Sequence, residues 1–331
     1  MKVSVIITTY NRAQLVCEAI DSVLEQTYRD FELIVIDDGS SADTQQRLAA
    51  YGNRIHSVRQ PNAGVNAARN TALALAQGEY IATLDDDDLW KPYKLALQVD
   101  ILDRHPDLAF TYSNFSIYKN QDDIRPNGIQ TWYARPMDWA AFFNTSTTLD
   151  AADLPAQTAL YFGDIYTASL DHYFVLPSTA LFRRSKIPAG VKFVEHDPIC
   201  GDWDFFARLS RDHPVAYLDH DTTHNRSHQD AVRLTRTQWK RQLEFRVDLL
   251  ERLYLQDAEF YRQHKTETDA VYRQRLSALC RQHILEGERQ HAHRVLDKYR
   301  MHHRDADLHY VALRTAASVP GLGRLLKAIR R

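Results

Sequence analysis

The chain has 331 residues, is 44% hydrophobic and 25% charged, and carries a formal net charge of -2. That length suits one large domain or two smaller ones. The near-neutral balance excludes the basic footprint of a nucleic-acid-binding protein. No stretch of about 18 apolar residues is present to span a bilayer, and the opening MKVSVIITTY is too short and too β-branched in its apolar run for a signal peptide. Cys17, Cys200 and Cys280 lie far apart without metal-type spacing, so a reduced, cytoplasmic setting is expected.

Lys2 to Thr9 is rich in Val, Ile and Thr and reads as a buried strand. It ends in Thr8-Thr9-Tyr10-Asn11-Arg12, where Asn11 with Gln14 three residues on predicts a capping box. The helix that follows carries Val16, Ile20, Val23 and Leu24 on one face. A second strand, Phe31 to Ile36, runs into Asp37-Asp38-Gly39-Ser40-Ser41, and a helix around Thr44 to Tyr51 returns the chain. A third strand near Ile55 to Arg59 ends at Gln60-Pro61-Asn62-Ala63-Gly64. An Ala-rich helix, Val65 to Gln77, follows, with Gly78 as its stop. The fourth strand, Tyr80 to Leu84, delivers Asp85-Asp86-Asp87-Asp88.

This β-α-β-α-β-α-β alternation predicts a mostly parallel sheet with helices on both faces, in the manner of a Rossmann-like α/β fold. Ligands of such sheets bind outside the carboxyl ends of the strands, and every unusual polar cluster falls there. Each cluster alone has a plain reading as turn chemistry; four on one sheet edge point to a site. Four consecutive carboxylates repel one another. A hard cation such as Mg²⁺ or Mn²⁺, bound through one or two carboxylates and substrate phosphate oxygens, relieves that repulsion. The competing reading of the run is a solvated acidic turn. No G-x-G-x-x-G follows the first strand and no G-x-x-x-x-G-K-[ST] occurs, which argues against a dinucleotide-binding Rossmann enzyme and a P-loop NTPase.

The ordered segments SVIITTYNR, ELIVIDDGSSADT and QPNAGVNAARNTALALAQGEYIATLDDDDLWKP resemble the nucleotide-sugar-binding half of inverting family 2 glycosyltransferases with the GT-A fold. The likeness covers the first 115 residues or so. It implies that Thr8, Tyr10, Arg12 and Asp38 line the base and ribose pocket with Asp37 beside them, and that Asn62, Gly64 and Arg69 lie near the base or diphosphate. Asp85 and Asp87 match the family's D-x-D, with Asp86 between them. Asp87 is then the expected direct ligand of Mn²⁺ or Mg²⁺, Asp85 the second carboxylate of the metal site, and Asp85 and Asp86 face the ribose and sugar.

Lys91 to Arg104 reads as a helix with Pro92 in its first turn, and Leu108 to Asn114 as a strand. From Asp122 to Asp171 the pattern is weak. Its aromatics (Trp132, Tyr133, Trp139, Phe142, Phe143, Tyr161, Phe162, Tyr166) are either core or a platform for the apolar faces of acceptor sugars. Val175 to Phe182 reads as a strand after a turn, bringing Ser178 and Thr179 toward the site. Gly201-Asp202-Trp203-Asp204-Phe205-Phe206-Ala207-Arg208-Leu209 reads as a helix start with acids at its positive end. It is similar to the family's E-D-W-D-L-x-x-R-L, with Gly201 in place of Glu. The resemblance makes Asp202 the general base, and otherwise Asp202 is a helix cap; Asp204 is the fallback. Asn225-Arg226-Ser227-His228 is similar to the family's Y-R-x-H loop, which implies Arg226 as a phosphate contact and His228 as a metal ligand, with His224 a weaker candidate.

From Thr235 onward Leu243, Val247, Leu250, Leu253, Leu255, Val271, Leu276, Leu279 and Ile284 recur at helical spacing, with turns at Gly287 and near His302-His303. This predicts a helical appendage or a dimerisation element. The last segment places Leu322, Leu325, Leu326 and Ile329 on one face and Arg324, Lys327, Arg330 and Arg331 around it. That pattern fits either a docked helix or peripheral contact with an anionic membrane. The expected organisation is a catalytic domain over residues 1–232, divided at 115/116 into nucleotide-sugar and acceptor halves, and a helical region over 233–331. The expected activity is metal-dependent inverting transfer from a nucleoside-diphosphate sugar, most simply a UDP-sugar, to a hydroxyl of a glycan or lipid-linked acceptor. The alternatives are a metal-dependent nucleotidyl- or phosphotransferase and a non-catalytic nucleotide-sugar-binding scaffold.

Overall fold

The computed structural model describes residues 1–133, 136–149, 151, 154–155, 157–227, 239–302 and 308–319. The chain divides into two compact units, residues 1–231 and 232–331.

The first unit opens with β1 (Val3–Thr9), α1 (Ala13–Leu24), β2 (Phe31–Asp37), α2 (Ala42–Ala49), β3 (His56–Arg59), α3 (Val65–Leu75) and β4 (Tyr80–Asp85). There follow β5 (Leu89–Trp90), α4 (Lys94–Arg104), β6 (Phe110–Asn120), β7 (Asp123–Arg125), β8 (Thr145–Leu149), β9 (Thr158–Gly163), β10 (Leu181–Arg183), α5 (Gly201–Ser210) and β11 (Val215–Arg226). Among the described residues these strands form one sheet in the order β3-β2-β1-β4-β10-β6-β11-β9-β8, with β5 paired to β11 and β7 to β6. The β1 to β4 portion is parallel, and so is β6 with β11, whereas β10 runs antiparallel to both β4 and β6. The fold is therefore α/β with a mixed, mostly parallel sheet.

The β-branched runs are buried on both faces, as parallel strands between helices must be. Val3, Val5 and Ile7 of β1 pack with Val16, Ile20 and Val23 of α1 and Leu95 and Leu102 of α4. Ile6, Ile34 and Ile36 face the opposite core with Ala68 and Ala72 of α3 and Phe205 and Phe206 of α5. The register sets Thr8 of β1 beside Asp85 of β4 and Thr9 beside Asp37 of β2, so the polar strand ends are adjacent.

Several local expectations differ from what forms. The Asn11–Gln14 capping box is absent: Arg12 occupies the cap of α1 without a side-chain bond. Asn11 turns to left-handed φ and ties down the neighbouring loop, its N–H donating to Ser40 Oγ and its Oδ1 accepting from Ser41 N–H. Helix α3 ends at Leu75, before Gly78. Gly78 serves a close approach instead, since a Cβ there would lie 2.5 Å from Ser4 N. Pro92 precedes α4 rather than opening it, because Leu89–Trp90 first pairs with Thr223–His224 of β11. Within Val175–Phe182 the strand shrinks to β10, after a 3₁₀ turn at Pro177–Thr179.

The second unit is helical: α6 (Trp239–Leu250) runs into a π turn at Glu251–Leu255, then α7 (Ala258–Gln263), α8 (Lys265–Glu286), α9 (Arg289–His302) and α10 (Leu308–Ser318). Leu243, Val247, Leu250, Leu253, Leu276, Leu279 and Ile284 are buried in it. Gly287 ends α8 at a φ of +79°, the left-handed conformation that glycine adopts without a Cβ penalty. No helix among the described residues is long and apolar enough to cross a membrane. The basic stretch beyond Val319 lies outside the described residues.

Candidate active site

The acidic run is a set of four differently engaged carboxylates at the end of β4. Asp85 accepts from Arg69 Nη2 at 2.5 Å. That ion pair engages Oδ1, and the Asp85 side chain is 29% exposed. Asp86 is buried and accepts from Thr9 Oγ1 at 2.6 Å and Arg12 Nη1 at 2.8 Å. Burial raises its pKa to about 6, against the opposing pull of the Arg12 charge. Asp88 is 1% exposed and accepts from Ser178 Oγ (2.6 Å), Asn225 Nδ2 (3.0 Å) and Arg226 N–H (3.1 Å). It is a strut, and burial pushes its pKa well up. Asp87 has a partly open side chain, 22% exposed, with Arg12 Nη1 at 2.9 Å from Oδ2. Of the four, Asp87 is the one whose carboxylate is both accessible and bonded to a solvent-reaching partner.

The remaining donor-side residues surround this run. Tyr10 is 49% exposed beyond β1. Asp37 is buried, accepts from Ser40 N–H and pairs with Arg59. Asp38 spends its carboxylate on Gln60 Nε2, Ala63 N–H and Gly64 N–H, and its carbonyl accepts from Asn62 Nδ2, so it shapes the loop into α3. Thr8 is buried, and the side-chain bond to the acidic run comes from Thr9. Arg226, expected at a phosphate, pairs with Glu18, donates to Asp87 O and lies 5.2 Å from the Tyr118 ring. The stretch read as a loop is the outer half of β11 as far as Arg226. His224 there is bonded to Ser116 Oγ through Nδ1, and burial lowers its pKa to about 4, which keeps it neutral. His228 lies outside the described residues.

Asp202 stands in the first turn of α5, where the helix dipole favours a carboxylate. Its Oδ1 accepts from Trp203 N–H at 2.7 Å. Burial raises its pKa to about 6, with the Arg69 charge pulling the other way. Asp204 is 1% exposed and locked to Arg208 Nε at 2.7 Å, a helix-internal pair. Helix α3 joins the two halves of the site. Arg69 is 6% exposed, lies 5.4 Å from the Phe193 ring, bonds Asn66 Oδ1 and is under the charge of both Asp85 and Asp202. Asn66 Nδ2 donates to the carbonyls of Val194 and Asp197, in the loop that leads to α5. A Cβ at Gly201 would fall 2.3 Å from Asn66 Nδ2 and 2.9 Å from Val194 O. Glycine at the place of the family's Glu therefore makes room for Asn66. Gly201→Ala should cost about 1–3 kcal/mol, read as a lower thermal midpoint.

Asn66, Thr9 and Tyr173 were not singled out by sequence reasoning. Each acts through a contact between distant segments, and no local motif marks it. Ser178 was anticipated near the site, and its hydroxyl donates to Asp88 while accepting from Asp85 N–H.

Among the described residues no group of three His, Cys, Asp or Glu is arranged to hold a metal ion. The donor set fits a hard divalent cation in a more limited way, with Asp85 and Asp87 as the two partly exposed carboxylates of the run and substrate oxygens completing the shell.

A parallel half with an acidic strand end, joined to a mixed half that presents a carboxylate at a helix start, is the arrangement of the GT-A class. Residues 4–167 match the family model Glycosyl transferase family 2. Residues 4–167 thus form a glycosyl transferase family 2 domain. It is 39% identical over 124 residues to the Escherichia coli UDP-Glc:alpha-D-GlcNAc-diphosphoundecaprenol beta-1,3-glucosyltransferase WfgD, covering 37% of this chain and 49% of that protein. An uncharacterized glycosyltransferase of Nostoc sp. is 41% identical over 105 residues, covering 30% of this chain and 33% of its own. The chain thus spans about half or less of the relatives it matches. Among solved structures, S. aureus TarS 1-349 in complex with UDP superposes with a TM-score of 0.56 at 18% identity, covering 100% of this chain and 91% of that one. Its complex with UDP-GlcNAc gives 0.56 at 17% identity, over 96% and 91%.

Proposed function

We propose that the chain is an inverting glycosyltransferase that moves a sugar from a UDP-linked donor to a hydroxyl of a glycan or lipid-linked acceptor, with Mn²⁺ or Mg²⁺ bound at Asp87. The observation that carries this reading is Arg69, which pairs with Asp85 at the end of β4 and whose charge also reaches Asp202 at the start of α5. The acceptor hydroxyl attacks C1 of the donor sugar, the C1–O bond to the diphosphate breaks, and Asp202 takes the hydroxyl proton as UDP departs. One base and no enzyme nucleophile suffice, and attack opposite the leaving group inverts C1. A bound divalent cation supplies charge neutralisation for the diphosphate leaving group. Arg12, 41% exposed beside Asp86 and Asp87, adds positive charge at the same edge. Two relatives support the details: the TarS complexes contain UDP and UDP-GlcNAc, and the WfgD name specifies a UDP-sugar and a diphosphoundecaprenol-linked acceptor.

Calorimetric titration with UDP, GDP, dTDP and CDP, each with and without Mn²⁺, tests the reading. The expected outcome is UDP binding that needs Mn²⁺, reduced more than about tenfold by Asp87→Asn. Binding indifferent to metal would remove the cation from the reading, and binding of none would bring the scaffold alternative forward.

A further inference from the structure

The wall beside Asp202 is aromatic and built with more care than a surface needs. Trp132 ends the 3₁₀ turn Gly128–Trp132, whose Ile129 is 0% exposed. Asn127, at left-handed φ, enters that turn and is held by Asn114 Nδ2 and the Asp221 carboxylate. A Cβ at Gly128 would lie 2.2 Å from the Phe115 ring, so the turn is pressed onto β6. This anchored turn nonetheless leaves the Trp132 side chain 40% exposed. The indole is nearly parallel to the Tyr173 ring, with centroids 5.6 Å apart and planes at 12°. At that separation the two nearly parallel rings are stacked with an offset, and the indole is the more exposed of the pair. Tyr173 in turn packs against Trp203, the residue after Asp202, at 5.5 Å. The Tyr173 hydroxyl is buried beside the Asp202 carboxylate and favours its charged form. A hydroxyl next to a carboxylate is a donor–acceptor pair that a ligand hydroxyl can join.

We propose that Trp132 and Tyr173 form the acceptor subsite: a neutral pyranose lies with its axial C–H face on the two rings, and one of its hydroxyls is held between Tyr173 Oη and the Asp202 carboxylate. The proposal rests on the reading of Asp202 as base. Axial C–H groups carry partial positive charge and meet the negative face of an aromatic ring. Asp202, Asp85 and Asp171 lie in or around this region, as their electrostatic influence on Tyr173, Asp202 and Tyr133 records. They disfavour an anionic acceptor residue. An open-chain polyol phosphate has neither a C–H face nor neutrality.

Saturation-transfer NMR on the full chain with UDP and Mn²⁺ present tests this, using methyl β-D-glucopyranoside, methyl 2-acetamido-2-deoxy-β-D-glucopyranoside, methyl β-D-galactopyranoside and glycerol 3-phosphate. At least one glycoside should show transfer concentrated on the C–H groups of one ring face, with glycerol 3-phosphate silent. Trp132→Ala should weaken that glycoside about tenfold, the equivalent of about 1.4 kcal/mol, and Trp132→Phe should restore most of it. UDP affinity should be the same in all three proteins, which separates loss of the subsite from misfolding. Glycoside binding unchanged in Trp132→Ala, no glycoside binding to the wild type, or equal binding of glycerol 3-phosphate would each overturn the subsite. Loss of UDP binding by the wild type would instead overturn the glycosyltransferase reading beneath it.

Discussion

Asp202→Asn should lower sugar transfer by about 10²- to 10⁴-fold, the usual contribution of a positioned general base, while leaving UDP affinity unchanged. The amide keeps the size of the carboxylate and its bond to Trp203 N–H but cannot accept a proton from the acceptor. Asp202 is partly buried, and that burial raises its pKa to about 6. The ionised form is the active one, so wild-type transfer should fall as pH drops through about 6. Stability moves the opposite way. A carboxyl whose pKa is raised by folding favours the fold when protonated, and that contribution is lost as pH rises through the folded value. Asp202→Asn should therefore unfold at a higher temperature than wild type at pH 8, and at nearly the same temperature near pH 3. A variant that is inactive and also less stable at pH 8 would mark Asp202 as a structural cap instead. Activity and melting curves over the same pH series decide between the two.

How much of this arrangement was readable depended on how local its causes are. β1, β2 and β4 are continuous β-branched runs between turn residues, and α1 and α3 carry regular apolar stripes, so both their type and their alternation were visible. β8 was not, and β10 was visible only as part of a longer strand. Thr145–Leu149 is largely exposed and has no alternating apolar set, and β10 has three residues whose strand character comes from lying between β4 and β6. The outer half of β11 reads as a polar loop because its residues are Asp, Thr, His, Asn and Arg. Pairing with β6, across two register shifts, makes it a strand. The site divides in the same way. Asp87 and Asp202 sit in recognisable local patterns, an acidic strand end and an acidic helix start. The partnership of Arg69 with Asp85 joins positions 16 apart, and the grip of Asn66 on the loop before α5 joins positions 128 and 131 apart. Only the packing of α3 on the sheet, over β1 and β2, creates those contacts, and no spacing rule announces them. Asp85 and Asp86 illustrate the limit: four identical side chains in a row receive four different environments from residues elsewhere in the chain.

Arg69→Met should be the most damaging substitution in the first unit. The guanidinium is almost wholly buried and is the counter-charge for Asp85 at 2.5 Å, with Asp202 also within its influence. Methionine fills similar space against Phe193 but leaves both carboxylates without that charge. Removing one partner of a buried ion pair costs about 3–5 kcal/mol, which for a unit of this size lowers the thermal midpoint by roughly 10 °C. A second effect separates electrostatics from packing. Arg69 opposes the rise in the Asp202 pKa caused by burial, so its loss lets that pKa climb further above about 6. The acid limb of the transfer rate should move to higher pH, and activity measured below the lowered melting temperature should recover partly toward pH 9. Arg69→Lys keeps a charge but not the planar fork that reaches Asn66 and Asp85 together. It should restore most of the pH profile and only part of the stability. An Arg69→Met enzyme with an unmoved acid limb would sever Arg69 from Asp202 and reduce it to a strut for Asp85. An acid limb that moves with Met and returns with Lys would tie the base to the donor-side carboxylates through one side chain of α3.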